Sequence, residues 1–121
     1  TTGSLFTGVD LVKYVYVAGP YTQGDPAENT RMAIEAGTVL LQSGYWPYIP
    51  HLSHHWHLQC PQDYETWMRL DFAWLEKCDS LVRIPGESPG ADREVAFANR
   101  LGIPTYGGLD VFLGARGHRA V

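Results

Sequence analysis

Residues 79–107, DSLVRIPGESPGADREVAFANRLGIPTYG, decide the fold because they contain a strand, a loop, a helix and a second strand in succession. DSLVRIP and IPTYG are short runs with β-branched or aromatic residues and with Gly or Pro near their ends, which is typical of strands. The segment between them opens with Gly, Ser and Pro and continues as a helix. Two strands joined by a crossover helix lie parallel, and the crossover is nearly always right-handed.

The rest of the chain repeats this alternation of strands and helices. The predicted elements are strands at residues 13–18 and 45–50, helices across 25–44 and 61–78, a polar His-rich loop at 51–61 and a short amphipathic tail at 109–121. The apolar side of the second helix is wide enough to be largely buried. The order predicts an α/β protein, a single-domain three-layer α/β/α sandwich with a mainly parallel, flavodoxin/Rossmann-like sheet of four to five strands.

Composition indicates one globular domain and a small-molecule ligand. The chain has 121 residues, 45% hydrophobic and 18% charged, and we expect residues 13–121 to form the domain and 1–12 to be a disordered or expression-derived terminus. No run approaches the ~18 apolar residues of a membrane span. A net charge of -4 argues against a nucleic-acid groove.

Cys60 and Cys78 lack a CxxC spacing and no signal peptide opens the chain, so we expect reduced thiols in a cytoplasmic protein.

Ligands of parallel α/β sheets bind beyond the carboxyl ends of the strands, which brings three predicted loops together. These loops are AGPYTQGD at residues 18–25, the His-rich loop at 51–61 and PGESPGAD at 85–92. They form the candidate site. The candidate substrate-binding residues that they contain are Gly19, Tyr21, His51, Ser88 and Gly90.

Ser88 followed by Pro89 has the pattern of a helix N-cap with Pro at the first helical position. Free backbone N–H groups and the positive end of the helix dipole would then face the cleft, where an anion binds well. The alternative is that Ser88 only caps the helix, and the local pattern leaves both interpretations open.

Three further residues are candidates for catalysis. Glu94 lies about a turn and a half into the helix, whose terminus helps to keep a carboxylate ionised near neutral pH, as a carboxylate nucleophile requires. Asp71 interrupts the apolar side of the second helix, and a buried acid in a cleft is a functional candidate. Tyr16 lies near the cleft end of the first strand, where its hydroxyl can meet a carboxylate. The alternatives are solvent-facing carboxylates at Glu94 and Asp71 and a core tyrosine at Tyr16.

The His-rich loop raises the question of a metal site. Its candidate ligands are His51, His54, His55 and His57. The HExxH spacing and a paired Cys motif are both absent, and closely spaced histidines also bind polar ligands by hydrogen bonds, so we expect no metal and no cofactor. Trp46, Tyr48 and Trp56 are close by in sequence and offer flat surfaces on which a base can stack.

Three pieces of the sequence match a known family: VYVAGPY with NTRMAIEAG behind it, RLDFAWLEKCDSLVRIPG, and ESPGADREVAFANRLGIP. Together they resemble the nucleoside 2-deoxyribosyltransferase superfamily, nearest to the 2′-deoxynucleoside 5′-phosphate N-hydrolases. With PHLSHHWH included, the pattern looks like a bacterial and phage group within that superfamily. The resemblance covers about residues 13–106 and includes the order of all three site segments.

The resemblance implies a role for each candidate. Glu94 matches the nucleophilic glutamate that attacks the anomeric carbon of the sugar and displaces the base. Asp71 matches the aspartate that assists departure or binding of the base, and Tyr16 matches the tyrosine that hydrogen-bonds the nucleophile. Ser88 stands six residues before Glu94, where the 5′-phosphate hydrolases carry a phosphate-binding serine and the free-nucleoside transferases an aspartate, which favours a nucleotide.

The activity that the resemblance implies is hydrolysis of the N-glycosidic bond of a nucleoside 5′-monophosphate or a related N-ribosyl compound through a covalent glycosyl-glutamate intermediate. The alternatives are base-exchanging deoxyribosyl transfer, a non-catalytic nucleotide-binding module and a metal-dependent hydrolase that uses the histidines.

Family members assemble as dimers or larger, so a homodimer or higher homo-oligomer is implied, with the tail segment LDVFLG as a candidate contact. Neither nucleic acid nor a membrane is an expected partner. The first loop lacks the Arg-containing sequence of the phosphate hydrolases, and the His-rich loop has no counterpart of known role.

Overall fold

The computed structural model describes residues 12–117. Its strands are β1 (Tyr14–Ala18), β2 (Trp46–Tyr48), β3 (Ser80–Arg83) and β4 (Thr105–Tyr106). Its helices are α1 (Pro26–Gln42), α2 (Ser53–Gln59), α3 (Tyr64–Leu75), α4 (Pro89–Arg100) and α5 (Leu109–Ala115), and a single 3-10 turn at Pro50–Leu52 precedes α2. Within the described residues, no helix combines the length and the apolar character that crossing a membrane requires.

The four strands form one sheet in the order β2-β1-β3-β4, and every neighbouring pair is parallel. The predicted α/β fold is therefore confirmed, with four strands flanked by five helices. Each parallel pair is joined through helices, as the alternation in the sequence indicates. Of the predicted terminus at 1–12, residues 1–11 lie outside the described residues, as do the last four residues of the predicted tail.

The helices cover both faces of the sheet because side chains alternate along each strand. Val15 and Val17 of β1 face one core, which contains buried residues of α1 and α5. Tyr16 and Ala18 face the other core, which contains buried residues of α3 and α4. The period of two in β1 thus directs Tyr16 to the face where α4 brings Glu94.

Side-chain caps fix where three of the helices begin. The backbone N–H groups of Ala27, Thr66 and Ala91 donate to the side chains of Asp25, Asp63 and Ser88 at 3.0, 2.7 and 3.0 Å. Each bond satisfies a donor that the first helical turn leaves unpaired. Gly44, predicted to end the first helix, lies two residues beyond it with a φ of 96°, a left-handed conformation that glycine adopts without strain.

The prediction of a loop across residues 51–61 is wrong, because most of this segment is helical. Pro50 begins the 3-10 turn, α2 follows directly, and regular structure ends at Cys60, before Pro61. Proline at a first helical position has no N–H to lose and its fixed φ suits a helix, so Pro50 starts the structure that it was expected to break. Pro61, at the other end, acts as expected.

Two expectations about burial are also corrected. In α3, Met68 and Leu75 are buried, but Tyr64 and Trp74 remain about half exposed, so its apolar side is not largely buried. In α5, Phe112 is buried in the chain's own core. Leu113 is buried with it, so these two side chains of LDVFLG are not available for contacts between copies. Cys60 and Cys78 are free thiols, as expected of reduced cysteines.

Candidate active site

A cavity of about 570 Å³ opens beyond the carboxyl ends of the strands. Its volume lies within the usual range of small-molecule sites, roughly 300–1,000 Å³. The predicted site residues that line it are Gly19, Tyr21, His51, Asp71, Ser88, Gly90 and Glu94. The eighth, Tyr16, reaches the cavity wall through Glu94. The fold therefore brings all eight together.

Tyr16 holds the side chain of Glu94 by a hydrogen bond. Glu94 is only 5% exposed, and the fully buried Tyr16 donates its hydroxyl hydrogen to Oε2 of Glu94 at 2.5 Å. The two residues are 78 positions apart in the chain, so this contact depends on the packing of α4 against β1. Glu94 is therefore not a solvated surface carboxylate, and the hydroxyl of Tyr16 is satisfied by the candidate nucleophile itself.

Asp71 supplies a second carboxyl group to the cavity. It is 9% exposed, and its Oδ1 has no hydrogen-bond partner among the described residues. Burial raises the pKa of Asp71 to about 7, because a carboxylate loses its hydration there. The solvent-facing alternative for Asp71 is thus excluded, and the group is placed to give or accept a proton near neutral pH.

The expectation that the helix terminus keeps Glu94 ionised is corrected by the structure. Burial raises the pKa of Glu94 to about 8, and the negative charge of Asp71 adds to that rise. The hydrogen bond from Tyr16 and the charges of Arg83 and Arg93 lower the pKa, but they do not offset burial. Desolvation outweighs the helix dipole because Glu94 lies inside the core rather than at the surface.

The two carboxyl groups are best described as one titrating pair. With pKa values of about 7 and about 8, they hold a single proton between them across that interval. Because the pKa of Glu94 is the higher of the two, the proton lies mainly on Glu94. In the minor form, with the proton on Asp71, Glu94 is ionised and can attack, while Asp71 can protonate a leaving group. Paired carboxyl groups in these two states are the arrangement that glycoside cleavage uses.

Ser88 is confirmed as the N-cap of α4, and this cap occupies most of the donors at the helix start. Pro89 has no N–H, the Ala91 N–H donates to Ser88 Oγ at 3.0 Å, and the Asp92 N–H donates to the Ser88 carbonyl at 3.0 Å. Gly90 is left with the free N–H of the first turn among the described contacts. A Cβ at Gly90 would lie 3.2 Å from the Tyr64 hydroxyl, so glycine also keeps this wall open.

The cavity is short of positive charge. Among the described residues that line it, none is Lys or Arg. The two arginines whose charges act on Glu94 are engaged elsewhere: Arg83 donates to the Gly86 carbonyl at 2.8 Å, and Arg93 donates to both carboxylate oxygens of Glu65 at 2.9 and 3.2 Å. A dianionic phosphate would therefore meet two carboxyl groups and one helix start in this cavity.

One wall of the cavity was missed by sequence reasoning. Tyr64, Trp67 and Met68 of α3 line the cavity with Asp71, and Trp67 packs edge-on against Trp56 at 5.0 Å between ring centroids. The signal was present, because positions 64, 67, 68 and 71 follow the helical spacing of one face. It was interpreted as core, although the face belongs to the site.

The aromatic residues expected to present a base are placed differently. Trp46 and Tyr48 line a separate surface hollow with Tyr14 and Trp74, and neither of them lines the cavity. Trp56 contacts the cavity only through Trp67. The aromatic lining residues on which a base can stack in this cavity include Tyr21, Tyr64 and Trp67.

Three of the four candidate histidines make hydrogen bonds within the chain. His54 Nδ1 lies 2.6 Å from the Tyr21 hydroxyl, and His57 Nδ1 accepts from Trp67 Nε1 at 2.8 Å. His51 Nε2 donates to the Pro20 carbonyl at 2.9 Å. Across residues 12–117, no three His, Cys, Asp or Glu side chains lie close enough together to hold a metal ion.

Comparison with known proteins gives one family and one fold. A family whose description reads "Domain of unknown function (DUF7768)" matches residues 13–106. No curated protein matches the chain. A 2-deoxyribosyltransferase from the psychrotolerant bacterium Bacillus psychrosaccharolyticus has a similar structure, with a TM-score of 0.57 and 20% sequence identity over 76% of this chain and 69% of that chain. At this identity the similarity supports the resemblance at the level of the fold.

Proposed function

The chain belongs to the DUF7768 domain family, and from that family, its fold and its two-carboxyl cavity we propose that the protein cleaves the N-glycosidic bond of a nucleoside or nucleoside 5′-monophosphate. The observation that carries the proposal is the hydrogen bond from Tyr16 to Glu94 in a cavity that Asp71 also lines. A binding pocket alone has no need of a buried carboxyl group that is held by a tyrosine and is close enough to a second buried carboxyl group for its charge to act on it.

In the first step, ionised Glu94 attacks the anomeric carbon of the sugar. A bond forms between a carboxylate oxygen and that carbon, the carbon–nitrogen bond breaks, and its electron pair leaves with the base. Asp71 donates its proton to the departing base, so the leaving group is neutral. Tyr16 holds Oε2 of Glu94, which leaves Oε1 as the attacking oxygen.

In the second step, water resolves the glycosyl ester. Asp71, now ionised, takes a proton from the water as its oxygen attacks the anomeric carbon, and Glu94 departs as a carboxylate. Two displacements give overall retention of configuration. If a second base attacks in place of water, the same intermediate gives base exchange, so hydrolysis and transfer share every residue named here.

Two observations favour different forms of the substrate. Among residues 12–117, the cavity lining contains no Lys or Arg, and the start of α4 is the group there that would attract a phosphate, which favours an unphosphorylated nucleoside. Ser88 and the free N–H of Gly90 favour the 5′-monophosphate, which matches the sequence resemblance. We put the nucleoside first, since an absent cation outweighs one neutral donor at a dianion.

The test is release of free base, measured by chromatography with ribo- and deoxyribonucleosides and their 5′-monophosphates, for the parent and the Glu94→Ala variant. We expect release by the parent and loss of it by a factor of at least 10³ in the variant. Adding a second base distinguishes transfer, which yields a new nucleoside, from hydrolysis. Release that Glu94→Ala leaves unchanged would refute the mechanism, and binding of an intact nucleotide without any turnover would favour the non-catalytic module.

A further inference from the structure

The ring of His51 is fixed in one tautomer inside the cavity wall. His51 is 4% exposed and lines the cavity, and its Nε2 lies 2.9 Å from the Pro20 carbonyl oxygen. Because a carbonyl oxygen only accepts, Nε2 must carry the hydrogen. Burial also lowers the pKa of His51, so the ring is neutral near pH 7 and its Nδ1 is a bare acceptor.

Across residues 12–117, this acceptor has no hydrogen-bond partner. Nδ1 of His51 is buried and makes no hydrogen bond to the described residues, whereas the Nδ1 atoms of His54 and His57 are both engaged. Asp71, which lines the same cavity, likewise has a buried oxygen, Oδ1, without a partner among the described residues. A buried acceptor left unsatisfied is unfavourable, and a ligand that brings a donor removes that penalty. Nδ1 has almost no accessible surface in the free protein, so the cavity wall must shift slightly for a donor to reach it.

We infer that Nδ1 of His51 is a specificity-determining acceptor that receives an uncharged hydrogen-bond donor of the substrate, either an amino group of the base or a hydroxyl group of the sugar. The inference rests on the proposed function for the identity of the ligand, but its evidence is independent of Glu94. Because Nδ1 has no hydrogen to give, a substrate with a carbonyl or ether oxygen at this position leaves both groups unpaired and binds more weakly.

Two substitutions separate the two nitrogen atoms of the ring. In His51→Gln, the side-chain amide nitrogen can replace Nε2 as donor to Pro20, but the acceptor at the Nδ1 position is lost. In His51→Asn, the amide oxygen lies near the Nδ1 position and keeps the acceptor, but the donor to Pro20 is lost. His55→Gln is the matched control, since His55 lies on α2, is exposed and does not line the cavity.

The experiment is calorimetric binding in a Glu94→Gln background, which prevents turnover of the ligand. Adenosine is compared with purine riboside, which lacks the amino group, and with 2′-, 3′- and 5′-deoxyadenosine, each of which lacks one hydroxyl. We expect the loss of one of these ligand groups to weaken binding about tenfold in the protein that keeps His51 and in the His51→Asn and His55→Gln variants. In His51→Gln, the loss of the same group should weaken binding less than twofold. The deletion that has this effect identifies the donor.

For each analogue, the measured quantity is the ratio of its dissociation constant to that of adenosine. The inference is overturned if His51→Gln leaves every one of these ratios unchanged, or if nitrogen NMR of the free protein finds the hydrogen on Nδ1. Base release measured separately distinguishes the two proposals. If free base is released but the affinity ratios do not depend on His51, the inference is refuted and the proposed function stands. If the affinity ratios depend on His51 but no base is released, the proposed function is refuted and the inference stands. If neither adenosine nor any of its analogues binds, the inference is refuted, because it rests on a nucleoside as the ligand.

Discussion

At Glu94, burial opposes the ionisation that a nucleophile needs, and this opposition sets the pH at which the protein should work. The active form has Glu94 ionised and Asp71 protonated, and the pair holds one proton between the pKa values of about 7 and about 8. We therefore expect kcat/KM for base release to be bell-shaped with its maximum between pH 7 and 8. In Asp71→Asn the alkaline limb should disappear and the rate should fall by about 10²-fold or more. A profile that is flat from pH 5 to 9 would contradict this assignment.

The hydrogen bond from Tyr16 should also affect the pH profile of kcat/KM. Its hydrogen bond to Oε2 lowers the pKa of Glu94, so Tyr16→Phe removes a contact that favours the ionised form. Because the higher pKa of the pair is mainly that of Glu94, we expect the alkaline limb of the kcat/KM profile to move to higher pH and the rate at pH 7 to fall about tenfold. Tyr14→Phe on the same strand is the control, since Tyr14 is exposed and does not line the cavity. An unshifted limb in Tyr16→Phe would mean that the tyrosine is only structural.

At the scale of the elements, the start of α4 combines a structural role with a binding role, and substitution can separate them. Ser88→Ala removes the cap and should cost about 1 kcal/mol of stability, which lowers Tm by about 3–6 °C in a domain of this size. Ser88→Asp keeps the cap and adds a negative charge beside Gly90. If the substrate is a nucleoside, Ser88→Asp should retain base release within about threefold. Loss of release with a nucleoside, but not of stability, would count against the unphosphorylated substrate.

The elements themselves were predictable where local pattern and tertiary packing agree. The first strand, predicted at residues 13–18, and the cap at Ser88 are signals that a single segment contains, and each is found as expected. The segment around Pro50 was not predictable in this way, because a proline both ends a strand and starts a helix. The choice between the two depends on where α2 packs, which lies beyond the reach of a local pattern.

For the candidate site, the sequence located the residues but not their electrostatics. Residue positions follow from the rule that ligands bind at the carboxyl ends of parallel strands, together with the family resemblance. The ionisation of Glu94 depends on how much of it is desolvated, which is a property of the completed core formed by β1, α3 and α4. The aromatic wall of α3 was hidden for a related reason, since a helical stripe of apolar residues faces a core and a cavity equally well.

At the scale of the whole molecule, the buried carboxyl pair should make stability fall as the pH rises. The folded protein holds protons on Glu94 up to about pH 8, whereas an unfolded glutamate releases its proton near the ordinary pKa of 4.5. Between these values the folded state binds more protons than the unfolded state, so the free energy of unfolding decreases with increasing pH. The decrease is complete above about pH 8, once both states are ionised.

Glu94→Gln tests this linkage, because the amide keeps an acceptor for Tyr16 and cannot ionise. We expect Glu94→Gln and the parent to differ little in Tm at pH 5, and the variant to melt higher by about 5 °C or more at pH 8. Glu87→Gln is the control, since Glu87 is exposed and lies just before the same helix. A Glu94→Gln variant that is destabilised equally at both values would show that Glu94 is ionised in the folded protein throughout. The pH optimum of base release would then lie below 7, because a Glu94 that stays ionised no longer limits the reaction on the acidic side.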